Sequence, residues 1–257
     1  LINKLKEIAG RTCGARIIVR KKLAGNATPQ ASWNYTATSP SPVSYSDPDG
    51  VAPFSTTGSP AQLTATLSNV PAAGTNATLT EDNAGQPLAS ANYTLTGVDC
   101  RLKGSSGWSA AAPFDTGQSA GAATTGGVAF ASVLRASDYY CTFTNTPQAT
   151  LSVRKITQPD GDPTAFTFDL TQNGVSVGGG FPQTRADNQN AVGTTVAADG
   201  SSYVFTETAN ANFSLTDITC YSDNGNTNYT DDTLLNPQPT KVLANGTVTI
   251  TPTVGQK

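Results

Sequence analysis

The sequence contains no histidine and no methionine among its 257 residues. The first absence removes the commonest general base and metal ligand, so no Ser-His or Cys-His nucleophile pair can be assembled. Charge is scarce: 15 Lys and Arg against 18 Asp and Glu leave a net charge of -3. Without a basic cluster, the chain lacks the phosphate contacts that nucleic acid or an anionic membrane surface requires. No apolar run approaches the ~20 residues of a membrane-spanning helix. No C-x-x-C pair offers zinc or redox spacing. These absences lead us to expect no enzyme activity, no metal, no cofactor, no nucleic-acid partner and no membrane insertion.

What the chain has in place of these is Thr, Ser, Asn, Ala and Gly, with Val, Tyr and Phe as its strand formers and few of the residues that fill helices. That balance favours strands. Four cysteines in a low-charge chain that begins at Leu1 fit the mature form of a secreted protein in an oxidising compartment.

The sequence also repeats itself. Ala15-Arg-Ile-Ile-Val-Arg-Lys21 recurs as Ala149-Thr-Leu-Ser-Val-Arg-Lys155. Ala77-Thr-Leu-Thr-Glu81 recurs as Tyr203-Val-Phe-Thr-Glu207, and Tyr93-Thr-Leu-Thr-Gly-Val-Asp-Cys100 as Phe213-Ser-Leu-Thr-Asp-Ile-Thr-Cys220. Such a duplication implies two tandem domains. The alternation of apolar and polar residues is that of sandwich strands with one face in a core. We therefore expect an all-β protein with an N-terminal extension over 1–14, a β-sandwich over 15–148 and a second over 149–257. The first copy closes with Tyr139-Tyr-Cys-Thr-Phe-Thr-Asn145-Thr-Pro147. Leu243 precedes Ile250 by the spacing at which Leu134 precedes Cys141, which aligns Thr247–Val254 as the second closing strand, with Ile250 in place of Cys141 and Val254 in place of Asn145.

Strand parity then places charge on a core face. Ile17, Val19 and Lys21 share one side of their strand; Ala77, Leu79 and Glu81 share another; Cys141, Phe143 and Asn145 a third.

The strand order, the Thr-Glu that ends a strand and the closing Cys-Thr-Phe-Thr-Asn-Thr-Pro resemble bacterial prealbumin-like, CnaB-type (SpaA-like) surface domains, in two copies. The resemblance implies immunoglobulin-like or transthyretin-like sandwiches. It also implies an intramolecular isopeptide bond between Lys21 and Asn145, assisted by Glu81. Burial would disfavour both charges, leaving a neutral amine to attack an amide polarised by a protonated carboxyl. The competing reading is an ordinary strand-end ion pair between Lys21 and Glu81. In the second copy the aligned valine leaves Lys155 and Glu207 as an ion pair.

The resemblance further implies a disulfide between Cys100 and Cys141. Cys220 is then left with Cys13, which lies in neither repeat. Three states stay open for these two: a bridge between subunits, a bridge within one chain, or free thiols. A bridge between subunits would use the N-terminal segment, as an added strand or a docked short helix; Leu1, Ile2, Leu5 and Ile8 fit helical spacing slightly better than strand alternation, and both stay open.

The pairs Asp47/Asp49, Asp160/Asp162 and Asp231/Asp232 read as turn formers, since none has the spacing of a calcium loop. Trp33 and Trp108 could line a glycan-binding face, but aromatics at strand parity belong more often to a core. The functional expectation is a subunit of an extracellular filament or pilus that self-associates head to tail through residues 1–14. The alternative is a stalk or ligand-binding module of a surface adhesin.

Overall fold

The computed structural model describes residues 14–26, 33–46, 62–82, 92–103, 118–189, 193–224 and 230–257. Residues 1–13 of the N-terminal extension, Cys13 among them, the Asp47–Gly50 turn and Trp108 lie outside the described residues. The chain divides into two compact units, Leu1–Thr146 and Pro147–Lys257.

The first unit is built from β1 (Ala15–Leu23), β2 (Asn34–Thr38), β3 (Val43–Ser46), β4 (Gln62–Leu67), β5 (Thr75–Asp82), β6 (Tyr93–Leu102), β7 (Gln118–Ser119), β8 (Ala122–Thr124), β9 (Gly127–Val133) and the start of β10 (Asp138–Leu151). Two sheets form, in the orders β3-β4-β1-β10-β6-β7 and β2-β5-β9-β8. Period-two patterning accounts for their facing. Along β1, Ile17, Val19, Lys21 and Leu23 are buried, while Arg20 is half-buried and Lys22 exposed. The inward set packs on Trp33, Tyr35, Leu79, Phe130 and Phe143 in one apolar core.

First and last strands of this unit are direct neighbours. β1 runs parallel to β10, with Lys21 opposite Phe143 and Leu23 opposite Asn145. Arg16 clamps the start of that pair by donating from Nε and a terminal nitrogen to both oxygens of Asp138, at 2.8 and 2.6 Å. Cys100 on β6 is bonded to Cys141 on β10, a link that ties β10 on its other side.

Gly127, at the start of β9, meets the need for close approach. A Cβ there would lie 2.1 Å from the Leu79 carbonyl oxygen and 2.8 Å from Thr80 Cα. Its absence lets β9 seat against the part of β5 that leads into Glu81.

The second unit contains the end of β10, then β11 (Phe166–Gln172), β12 (Val175–Ser176), β13 (Gln183–Arg185), β14 (Thr194–Ala197), β15 (Tyr203–Glu207), β16 (Tyr221–Ser222), β17 (Thr233–Leu234), β18 (Thr240–Val242) and β19 (Thr247–Ile250). Its main sheet has the order β12-β11-β15-β19-β18, with β13 beside β11. Gln148–Leu151 pairs with β14, and β16 with β17. Its core gathers Leu151, Phe166, Phe168, Leu170, Phe205 and Val248.

Both units are all-β, and the pairings of the β2-β5-β9-β8 sheet recur in the order β11-β15-β19-β18. That correspondence corrects the alignment expected for the closing strand. In the first unit β5 pairs with β9, placing Ala77 opposite Phe130 and Thr80 opposite Gly127. In the second, β15 pairs with β19, placing Tyr203 opposite Ile250 and Thr206 opposite Thr247. Glu81 N–H donates to Gly126 O, and Glu207 N–H to Gly246 O, each at 2.8 Å. Both glycines have positive φ, 82° and 65°. β19 is thus the counterpart of β9, not of β10; Ile250 stands for Phe130, and Val254 is an exposed residue beyond the strand. The physical reason for the misalignment is that β9 and β10 present the same alternation of small polar and apolar residues, so spacing from a leucine does not distinguish them.

Candidate functional site: a buried lysine, glutamate and asparagine

Three strands bring three polar side chains into the apolar core of the first unit. β1 supplies Lys21, β5 supplies Glu81 and β10 supplies Asn145, with relative exposures of 4%, 7% and 0%. Lys21 Nζ donates to Glu81 Oε2. Asn145 Nδ2 donates to the other carboxylate oxygen, Oε1, at 2.7 Å. One carboxylate therefore bridges the amine and the amide.

The walls are aromatic. Lys21 Nζ lies 3.9 Å from the centre of the Trp33 ring, a cation–π contact that stands in for water. Tyr35 packs edge-on against Phe143 at 5.1 Å, and its hydroxyl reaches towards Glu81 Oε2 at 3.5 Å. The sequence marks Trp33 as core or as part of a glycan-binding face and Phe143 as core, and does not single out Tyr35. Their parity on β2 and β10 is the signal that could have assigned them to the site. Asn145 Oδ1 is buried without a hydrogen-bond partner. A buried unsatisfied carbonyl is uncommon in native proteins and marks places where chemistry takes precedence over satisfaction.

Burial pulls the Lys21 ammonium down from 10.5 to about 8, against the opposing charge of Glu81. Roughly a tenth of the amine is then neutral at pH 7, far more than for a free lysine, and the neutral form is the nucleophile. The arrangement can form an amide between Lys21 Nζ and Asn145 Cγ. In that step the Nζ–Cγ bond forms and the Cγ–Nδ2 bond breaks, and ammonia departs. Glu81 can carry the proton, since its two oxygens face the nitrogen that must lose one and the nitrogen that must gain one.

The depressed lysine has a consequence for stability in a chain that cannot condense. Between pH 8 and 10.5 the unfolded Lys21 binds more protons than the folded one, so the linked stability rises with pH. Tyr140 and Tyr203 have raised values, largely through burial, and act in the opposite direction above their ordinary value. We therefore expect an Asn145→Ala chain to gain about 2 kcal/mol in first-unit stability between about pH 7 and 9.5, measured by urea denaturation. The gain should vanish in Lys21→Met/Asn145→Ala.

The second unit repeats part of this site. Lys155 Nζ donates to both oxygens of Glu207, at 2.8 and 3.0 Å, and lies 4.1 Å from the Phe166 ring centre. Phe166 packs edge-on against Phe213 at 5.2 Å, as Trp33 does against Tyr93 at 5.3 Å. Phe168, opposite Glu207, stands where Tyr35 stands opposite Glu81. No residue stands at the Asn145 position, because no strand among the described residues takes the place of β10. Cys220, the counterpart of Cys100, is a free thiol raised by burial.

The aspartate pairs serve turns where they are described. Asp187 accepts from the Thr157 and Gly161 N–H groups at 2.6 and 2.8 Å, and these bonds hold its carboxyl down to about 2. Asp160 accepts from Asn188 at 3.1 Å, and Asp162 from the Thr164 N–H at 2.8 Å. Among the described residues no cluster of three or more metal-binding side chains occurs, and no helix is long and apolar enough to cross a membrane.

Residues 151–257 match a family of prealbumin-like fold domains. No curated protein matches the chain.

Proposed function

We propose that the protein is a secreted structural subunit of a bacterial extracellular filament or pilus, in which the first unit is closed by an amide between Lys21 and Asn145. The observation that carries this reading is the bridging of Lys21 and Asn145 by the two oxygens of Glu81 in a site without water access.

The mechanical logic follows from the topology. Tension entering along β1 would cross directly to β10 through the amide, and the residues between positions 21 and 145 would carry no load. A parallel pair of neighbouring strands joined covalently cannot slide apart, whereas hydrogen bonds alone are each worth only about 1 kcal/mol net. The Cys100–Cys141 bond ties β6 into the same strand. The prealbumin-like match over residues 151–257 agrees with a pilus or surface setting.

Head-to-tail joining through residues 1–14 is one route to a filament. Electron microscopy of native material tests the reading: filaments are expected. Monodisperse single chains in native material would instead favour the stalk or ligand-binding module of a surface adhesin.

A further inference from the structure

The place of β10 in the second unit, which no strand among the described residues fills, is a defined one. In the first unit, β10 begins with two bonds to the entry of β1: Ala136 N–H to Gly14 O at 2.6 Å, and Arg16 N–H to Ser137 O at 2.9 Å. The second unit repeats both, with Gly255 N–H to Gln148 O and Thr150 N–H to Gln256 O, each at 2.8 Å. Ala136 and Gly255 share positive φ, 58° and 73°. Gln256 and Lys257 therefore stand where Ser137 and Asp138 stand, at the point where β10 sets off between β1 and β6.

Beyond that point neither flank of the place is a strand. Residues 152–157, the counterpart of the second half of β1, form no strand, and neither do residues 213–220, the counterpart of β6. β6 is a ten-residue strand because β10 lies beside it. Cys220 has its backbone bonded to Gln238 and Leu235, as Cys100 O is bonded to Ala120, yet its thiol is free where Cys100 is bridged.

We propose that the second unit holds an open strand position between residues 152–157 and 213–220. It accepts a β-strand that runs on from Lys257, with a cysteine at the third position for Cys220 and an asparagine or aspartate at the seventh for Lys155 and Glu207. These positions are those of Cys141 and Asn145 counted from Asp138. The N-terminal segment of a second copy is a poorer occupant. With Cys13 against Cys220, strand alternation puts Arg11 on the core side in either direction, where an unpaired charge is strongly disfavoured. Closure of the disulfide removes two protons and two electrons, taken by a small-molecule disulfide such as oxidised glutathione. Closure at Lys155 with asparagine forms an Nζ–Cγ bond and releases ammonia, with Glu207 relaying the proton. That second arm rests on the reading of the Lys21 site, and the disulfide arm does not.

The test extends the full chain after Lys257 by a copy of Tyr139–Thr146 and refolds it with oxidised and reduced glutathione, beside the unextended chain. In the extended chain, peptide mapping is expected to find Cys220 bonded to the added cysteine, and amide exchange over 213–220 to slow at least about tenfold. An added mass loss of about 17 Da at Lys155 supports the second arm, and its absence with the disulfide formed overturns that arm alone. Cys220 still open to alkylation with unchanged exchange, or bonded to Cys13 of the same or another copy, overturns the strand position itself.

Discussion

Replacing Asn145 with alanine is expected to lower the melting temperature of the first unit by roughly 15–20 °C. The amide would close a loop on the order of 100 residues, and a cross-link of that span stabilises by about 4–5 kcal/mol through the unfolded state. For a unit of this size each kcal/mol corresponds to roughly 4 °C. Removing the acceptor leaves Lys21 paired with Glu81, so the change reports the cross-link rather than an orphaned charge. Calorimetry of the variant beside the parent chain checks it. Asn145→Asp supplies the control: condensation then releases water and yields the same amide, so both the mass and the melting temperature should return to those of the parent.

Glu81→Gln is expected to have a larger effect, because it acts twice. The shape of the site is kept, but the proton carrier is lost, and the chain should retain its full mass. Lys21 is also left in a dry pocket without a counter-charge. Breaking a buried pair in this way costs about 3–5 kcal/mol, on top of the lost cross-link. Together these approach the whole stability of a typical domain. Limited proteolysis should then open the first unit at room temperature while residues 147–257 remain resistant. Stability should recover as pH rises, since the unpaired lysine folds more readily when neutral. A Glu81→Gln chain that retained the parent's melting profile would show that the carboxylate serves neither role.

How far the sequence could be read depended on which physical rule governed each element. Lys21, Glu81 and Asn145 were visible because strand parity is strict, and each ends an apolar row that must face inward. The structure places them together through the parallel pairing of β1 with β10, which parity alone does not give. Trp33 declared itself only as core or as part of a glycan-binding face; its role under Lys21 arises from the packing of β2 on β1 across the sandwich. The closing strand of the second unit was misplaced because Thr247-Val-Thr-Ile250 and Cys141-Thr-Phe-Thr have the same alternation. The distinguishing signal lay just upstream, in Asn245-Gly246 matching the glycine turn at Gly126. A positive-φ glycine before a strand fixes its identity better than the spacing of a leucine does.

Intact-mass spectrometry of the purified, reduced full chain, followed by peptide mapping, should give a mass about 17 Da below that of the sequence. The map should contain a linked peptide pair joining Lys21 to Asn145. A mass equal to that of the sequence, with Lys21 and Asn145 recovered in separate peptides, would contradict the covalent closure of the first unit.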